Sequence, residues 1–287
     1  MHRDSERTKT RIRAGVLTLI CIAMALGAAT TIAGTFQDSQ DFATLSQATS
    51  AGFTGLNNQS SIQNYGFSNT NNASGVAGEA GGSFRMEASR TYYADTTLNG
   101  TLTNADNLSA GGAFKMTNSA SSASQLFIAH FDPTPATNQN ILGLRIVDNN
   151  SNAANFRFQA FLSYSNGGTD SGAIVVVPNT VTSFSYVFDP DPDNNPITTP
   201  GLLTASFTDG VTTYTSSTST TAALPASFSA WGLRTDVLGG FESANPLTLF
   251  IDDVNYTSIP EPATAGLIVL AGWSLSSRLF RGFGYRR

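Results

Sequence analysis

Few side chains in this sequence are equipped for chemistry. Beyond the first residues, His130 is the only histidine. It shares one face of an alternating run, Leu126 to Phe131, with Leu126 and Ile128, so it reads as a packed or surface residue. A serine triad needs a histidine beside both a serine and a carboxylate. No Gly-x-Ser-x-Gly turn is present to present the serine. A glycoside hydrolase needs two carboxyl groups across a cleft. Between the two ends the chain has three glutamates, Glu79, Glu87 and Glu242, none in an E-x-D-x-x-E arrangement. The expectation is a protein that is not an enzyme.

Two acidic clusters remain. Asp189, Asp191 and Asp193 alternate along Asp189–Asn195, and three oxygens converging from a curled loop would suit Ca²⁺. Pro190 and Pro192 stiffen that segment, so a solvated turn stands as the other reading. Asp252 and Asp253 are adjacent on an extended run, where neighbours face opposite ways and at most one serves any given site. The other would cap a loop or pair with Arg234 or Arg145. No cofactor other than this Ca²⁺ is implied. Tyr92, Tyr93, Tyr164 and Trp231 are candidates for a sugar-stacking platform if their faces are wet.

The elements that must position these groups are strands. Phe156, Phe158, Ala160 and Leu162 alternate on one face, as do Thr182, Phe184, Tyr186 and Phe188. Further strands read over Leu126–Phe131, Ile141–Val147, Ile174–Val177, Leu203–Phe207, Phe228–Leu233 and Leu247–Tyr256. Asp209-Gly210 between Leu203–Phe207 and Val211–Tyr214 reads as a tight hairpin. Many short strands punctuated by Asn, Gly, Ser and Pro mean an all-β sandwich or barrel. Phe36 to Gly82 is rich in Asn, Ser, Gly and Gln and reads as an irregular first strand with long loops. Ser216 to Ala223 is a Ser/Thr run open to reading as an edge strand, a loop or a glycosylation target.

Both ends differ from this middle. Arg3, Arg7, Lys9, Arg11 and Arg13 precede an apolar stretch from Ala14 to Ile32, with small residues before Ala33. That is a secretory signal peptide over residues 1–33, cleaved after Ala33, with Ala28 and Ala29 as alternatives and an uncleaved anchor still open. At the other end, Pro260-Glu261-Pro262 is held extended by its prolines. An apolar segment follows from Ala263; carried to Phe280 it has 18 residues, or ~27 Å as a helix. Arg278, Arg281, Arg286 and Arg287 follow and would hold the cytoplasmic side. Removing both ends leaves six basic and seventeen acidic residues in the exported part, residues 34–258, for a net charge near −11. Such a domain does not bind nucleic acid or an anionic membrane through charge. Its one chain-wide cysteine, Cys21, lies in the leader, so core burial must replace disulfides.

The order Pro260-Glu261-Pro262, apolar helix, arginine cluster resembles the PEP-CTERM sorting signal over residues 259–287. The resemblance implies an exosortase-type membrane enzyme as partner and processing at or near the motif. It also implies a membrane-anchored precursor, then a place on the surface or in the extracellular matrix of a Gram-negative-type bacterium. The succession Phe184–Pro190, Gly201–Phe207, Phe228–Arg234 and Phe250–Tyr256 looks like the back half of a concanavalin A-like or laminin-G-like jelly roll, whose last strand returns beside the first. That implies a two-sheet jelly-roll sandwich and, weakly, sugar binding. Together these give the expected role: a structural or adhesive protein of an exopolysaccharide matrix. The alternatives are a carbohydrate-binding module with a defined site and, third, a glycan-active hydrolase.

Overall fold

A computed structural model describes residues 36–258 apart from 61–62, 86–89, 99–101, 104, 119–124, 135–139, 149–155, 165–166, 171–173, 177–182, 194–200, 220–226 and 236–246. They lie in one compact unit, Thr35–Glu261. The expected signal peptide and sorting segment, with Pro260, Glu261, Pro262, Arg278, Arg281, Arg286 and Arg287, lie outside the described residues. No helix among the described residues is long and apolar enough to cross a membrane.

In chain order the strands begin with β1 (Phe36–Gln40), helix α1 (Leu45–Ser50), β2 (Phe53–Leu56), β3 (Asn64–Ser68), β4 (Glu79–Phe84) and β5 (Thr91–Asp95). The middle holds β6 (Leu102–Thr103), β7 (Leu108–Asn118), β8 (Gln125–Phe131), β9 (Ile141–Asp148), β10 (Phe156–Tyr164), β11 (Gly167–Asp170) and β12 (Ile174–Val176). The rest are β13 (Ser183–Asp189), β14 (Leu202–Thr208), β15 (Thr213–Ser219), β16 (Ser227–Phe228), β17 (Ala230–Thr235) and β18 (Leu247–Ser258).

They form an all-β, two-sheet sandwich. One sheet runs β15-β14-β13-β7-β18-β4-β3, with β1 also on β18; the other runs β11-β10-β9-β8-β17-β5-β2, with β12 on β10. The last strand does return beside the first: β18 pairs antiparallel with β1, Phe36 opposite Ser258. Phe184, Tyr186 and Phe188 point into the core while Ser185 and Val187 point out, as alternation predicts. In the other sheet Phe158, Ala160 and Leu162 of β10 join the same core, with β10 lying against β14 and β15. Ring stacking ties the layers together where Phe158 lies on Phe207 at 4.3 Å, and Phe207 in turn stacks on Tyr214 of its own sheet at 4.8 Å. The second sheet is buried on its other face too, through Phe127, Phe131, Ile141 and Phe161.

The segment from Phe36 to Gly82 is more regular than its composition predicts. It contributes four strands and a short helix, and supplies edges to both sheets. Its isolated aromatics are the anchors: Phe53 and Tyr65 are buried, and Tyr65 packs on Phe84 with centroids 4.2 Å apart. Its glycines serve close approach rather than looseness. At Gly82 φ is +135° and a Cβ would sit 2.3 Å from the Asn64 carbonyl oxygen on β3. The Asp209-Gly210 hairpin is present. Asp209 Oδ1 accepts from the Val211 and Thr212 backbone N–H groups, with Gly210 at φ 88°.

Candidate functional site

His130 and its neighbours form a buried polar chain between the sheets. His130 Nε2 lies 2.8 Å from the Thr257 carbonyl oxygen of β18, which can only accept, so Nε2 carries the proton. Nδ1 is then the acceptor in a neutral ring, and the Tyr186 hydroxyl donates to it at 2.7 Å. That hydroxyl in turn accepts from Trp231 Nε1 at 2.9 Å. Every proton in the chain Trp231–Tyr186–His130–Thr257 is thereby placed. Burial drives the His130 pKa down to about 4, only partly opposed by its bond to Thr257. Burial likewise raises the Tyr186 hydroxyl well above its ordinary value.

A second chain lies alongside. Trp231 stacks on Tyr256 with centroids 4.3 Å apart and planes 2° from parallel. The Tyr256 hydroxyl donates to Asp95 Oδ2 at 2.9 Å. Asp95 Oδ1 accepts from the Thr97 N–H and hydroxyl, both at 2.8 Å. Burial raises the Asp95 pKa despite these donors. Of the two readings its alternating face left open, packed or surface, His130 is the packed one, fully buried.

The acidic residues divide. Glu79 is buried under the turn that precedes it: Oε1 accepts from Thr70 Oγ1 and, at 2.8 Å, from Asn72 Nδ2, and Oε2 from the Ala73 N–H at 2.7 Å. Glu87 and Glu242 lie outside the described residues. Asp252 is buried beneath the same turn and accepts from the Ser74 hydroxyl. Burial raises its pKa. The arginines proposed as its partners have other contacts: Arg234 donates to the Asp132 carbonyl at 2.8 Å, and Arg145 to Gln159 at 2.6 and 2.9 Å.

Asp189, Asp191 and Asp193 are not drawn together as ligands. Asp189 Oδ1 accepts from the Asp191 N–H at 3.0 Å, a local turn bond at the end of β13. Among the described residues no three His, Cys, Asp or Glu side chains gather as they would to hold a metal ion. Two of the expected stacking aromatics also face inward. Trp231 and Tyr93 are buried, and burial pushes the Tyr93 hydroxyl up to about 12. Tyr92 is half-buried, with the Arg90 guanidinium 5.9 Å from its ring centre. The Tyr164 side chain lies outside the described residues.

What the surface offers instead is an open groove of about 670 Å³ where β1, α1 and β18 meet, lined by polar Ser39, Asp41, Gln47, Ser50, Asp253 and Asn255 together with Gln40, Ala51 and Val254. Its shape comes from an irregularity of β18. Between Asp252 and Asn255 the register against β7 slips, as an extra residue enters β18. Asp253 takes up the slack at φ 48°, exposed, on the groove wall. Across the groove, the chain turns from β1 towards α1 with Phe42 at φ 49°, its ring fully buried. Left-handed backbone is rare outside glycine, above all for an aromatic residue. Among the described residues four non-glycines adopt it; Asn57 and Asn140 are asparagines, which tolerate it, while Asp253 lines this groove and Phe42 follows Asp41 on its wall. Adjacent acidic residues on a strand were legible in the sequence; the bulge that sets Asp253 on the groove wall was not, and Ser39, Asp41, Gln47, Ser50 and Asn255 carry no motif.

No family model and no curated protein matches the chain. Several solved structures are similar to it. One is a protein of unknown function from Shewanella oneidensis MR-1, 14% identical over 80% of this chain and 89% of that one, with a TM-score of 0.48. Another is the lectin UEA-II complexed with galactose, 10% identical over 78% of this chain and 98% of that one, TM-score 0.46. A third is a Bacillus licheniformis β-glucanase, 16% identical over 79% of this chain and 99% of that one, TM-score 0.38.

Proposed function

We propose that this chain is an exported, exosortase-sorted protein whose β-sandwich has a structural and adhesive role at the cell surface or in an exopolysaccharide matrix. The observation that carries this reading is the use the sandwich makes of its reactive side chains. His130, Glu79, Asp95 and Asp252 are all turned into hydrogen bonds that hold strands and turns in place. A general acid or base has to reach a substrate proton, and these groups face the interior. The domain's sequence is rich in Asn, Ser and Thr, whose amides and hydroxyls suit many weak contacts with a hydrated polymer. The groove at the β18 bulge, with its two carboxylates and its amides, favours the narrower alternative, a carbohydrate-binding module with a defined site.

Sorting is tested by replacing Glu261, the only charged residue of its motif, with Ala in a chain tagged at its C-terminus. The wild type is expected to lose the tag and to appear in the surface or matrix fraction. Glu261→Ala is expected to keep the tag and stay in the membrane. Equal loss of the tag in both overturns the sorting reading.

A further inference from the structure

The groove continues into an ordered surface. Ser39 and Asn255, both on its wall, face each other across β1 and β18. The same row runs on across the sheet: Asn255 opposite Gly111, Gly111 opposite Ser185, Ser185 opposite Ser206, and Ser206 opposite Thr215. A second row lies parallel to it. Gln37 faces Thr257, whose hydroxyl takes the Ser109 N–H at 2.9 Å, and Ser109, Val187, Thr204 and Ser217 follow in register. Gln37, Ser39, Ser185, Val187, Thr215, Ser217 and Asn255 are exposed on this face, Ser109, Thr204 and Ser206 are half-buried, and Thr257 is buried between its partners, while Phe184, Tyr186, Leu203, Ala205 and Phe207 point into the core.

Each row crosses six strands, a length of ~24 Å at ~4.8 Å per strand gap. The rows hold small hydroxyl and amide side chains, one glycine and Val187, and no charged group. That strand spacing is close to the length of one sugar residue in an extended chain, so successive sugars would meet small hydroxyl or amide side chains on most of the strands. At the end of the rows stand the Asp41 and Asp253 carboxylates, with the Gln47 and Asn255 amides. Carboxylates accept from paired hydroxyls and amides both donate and accept, the donor set that reads vicinal diols. Strained backbone at Asp253 and Phe42 has to be held by the surrounding structure, and such strain concentrates at ligand clamps.

We propose that the groove and the rows form one binding track for a neutral, hydroxyl-rich polysaccharide lying flat on the sheet. The terminal or branch sugar sits in the groove and the chain extends over β7, β13, β14 and β15. The uncharged rows fit a neutral polymer, while the groove carboxylates repel an anionic one. With no aromatic among the groove's side chains, each sugar is held weakly, and retention comes from many contacts along one polymer. This deepens the adhesive role proposed above and rests on it only for where the polymer is met.

The test is affinity electrophoresis of the full chain in mild detergent, in native gels cast with dextran, mannan or alginate. Two exposed positions are varied: Asp253→Asn, since Asn tolerates left-handed backbone, and Ser185→Lys, which puts a long charged side chain into the middle of a row. Unchanged circular dichroism and melting temperature certify the fold of each. The expected result is retardation of the wild type by dextran or mannan but not alginate, with the retardation reduced at least tenfold by either variant. Retardation by a neutral polymer that neither variant reduces places adhesion elsewhere and overturns the track. Retardation by alginate alone, or by none of the three, also overturns it. The Glu261→Ala fractionation reads sorting separately, so failure of the track and failure of the sorting reading are told apart.

Discussion

The His130 network makes the acid sensitivity of this fold calculable. In the unfolded chain the ring titrates near 6.5, and in the fold near 4. Below pH 6.5 the unfolded state therefore binds a proton that the folded state refuses, and stability falls with pH across that window. Integrating between the two values gives a loss of ~2 kcal/mol at pH 5 and ~3 kcal/mol at pH 4, relative to pH 7. Asp95 and Asp252 act in the opposite sense, because burial raises their pKa and protonation favours the folded form as pH falls towards the ordinary carboxyl range. The His130 contribution has to be isolated by difference. His130→Gln keeps a donor and an acceptor but cannot titrate. It is expected to cost ~1–3 kcal/mol at pH 7 through imperfect hydrogen bonding to Tyr186 and the Thr257 carbonyl. Urea unfolding of wild type and variant at pH 7, 6, 5 and 4, followed by near-ultraviolet circular dichroism, gives both curves. The gap between them is expected to shrink by ~2 kcal/mol by pH 5 and to close or reverse by pH 4. A gap constant with pH would show that His130 is not held neutral, and the proton order assigned to Trp231, Tyr186 and His130 would fall with it.

Glu79→Ala removes the acceptor for Thr70, Asn72 and the Ala73 N–H and is expected to cost ~2–4 kcal/mol, with new protease cleavage within residues 70–78. A loss under ~0.5 kcal/mol would show that the turn holds without it. Tyr186→Phe leaves the Trp231 N–H and His130 Nδ1 without their shared partner, for an expected loss of ~2–4 kcal/mol by urea unfolding. Calorimetry with millimolar Ca²⁺ and with EDTA is expected to give overlapping transitions, because Asp189 bonds locally to the Asp191 N–H. A Ca²⁺-dependent rise abolished by Asp191→Asn would restore the three aspartates as ligands.

Alternation made the sandwich readable, and alternation reports only which residues share a face. Phe184, Tyr186 and Phe188 declared their strand because every second residue is aromatic and the intervening ones are not. The same rule said that His130 goes with Leu126 and Ile128, but left open whether that end of the strand is packed or at the surface; it is packed. It did not say that the Tyr186 hydroxyl, 56 residues on, would reach its ring, since pairing across two sheets is a property of the packed layers. Trp231 misled as a stacking candidate for a related reason: it is large, carries one donor, and that donor finds Tyr186, so the ring is satisfied inside and is not needed at the surface. The first fifty residues of the domain hid their strands behind glycine and asparagine, whose propensities favour turns. Gly82 stands in β4 because the Asn64 carbonyl leaves no room for a side chain, a constraint written in β3 and not in the glycine itself. The groove was the least legible part. Asp253 lines it only because one extra residue in β18 lifts the strand out of register against β7, and a bulge has no composition of its own. Where strand pattern alone would set Asp252 and Asp253 on opposite faces, the bulge gives them different work on one side of the sandwich: Asp252 bonds Ser74 beneath the turn, and Asp253 stands on the groove wall, where the hydroxyl rows begin.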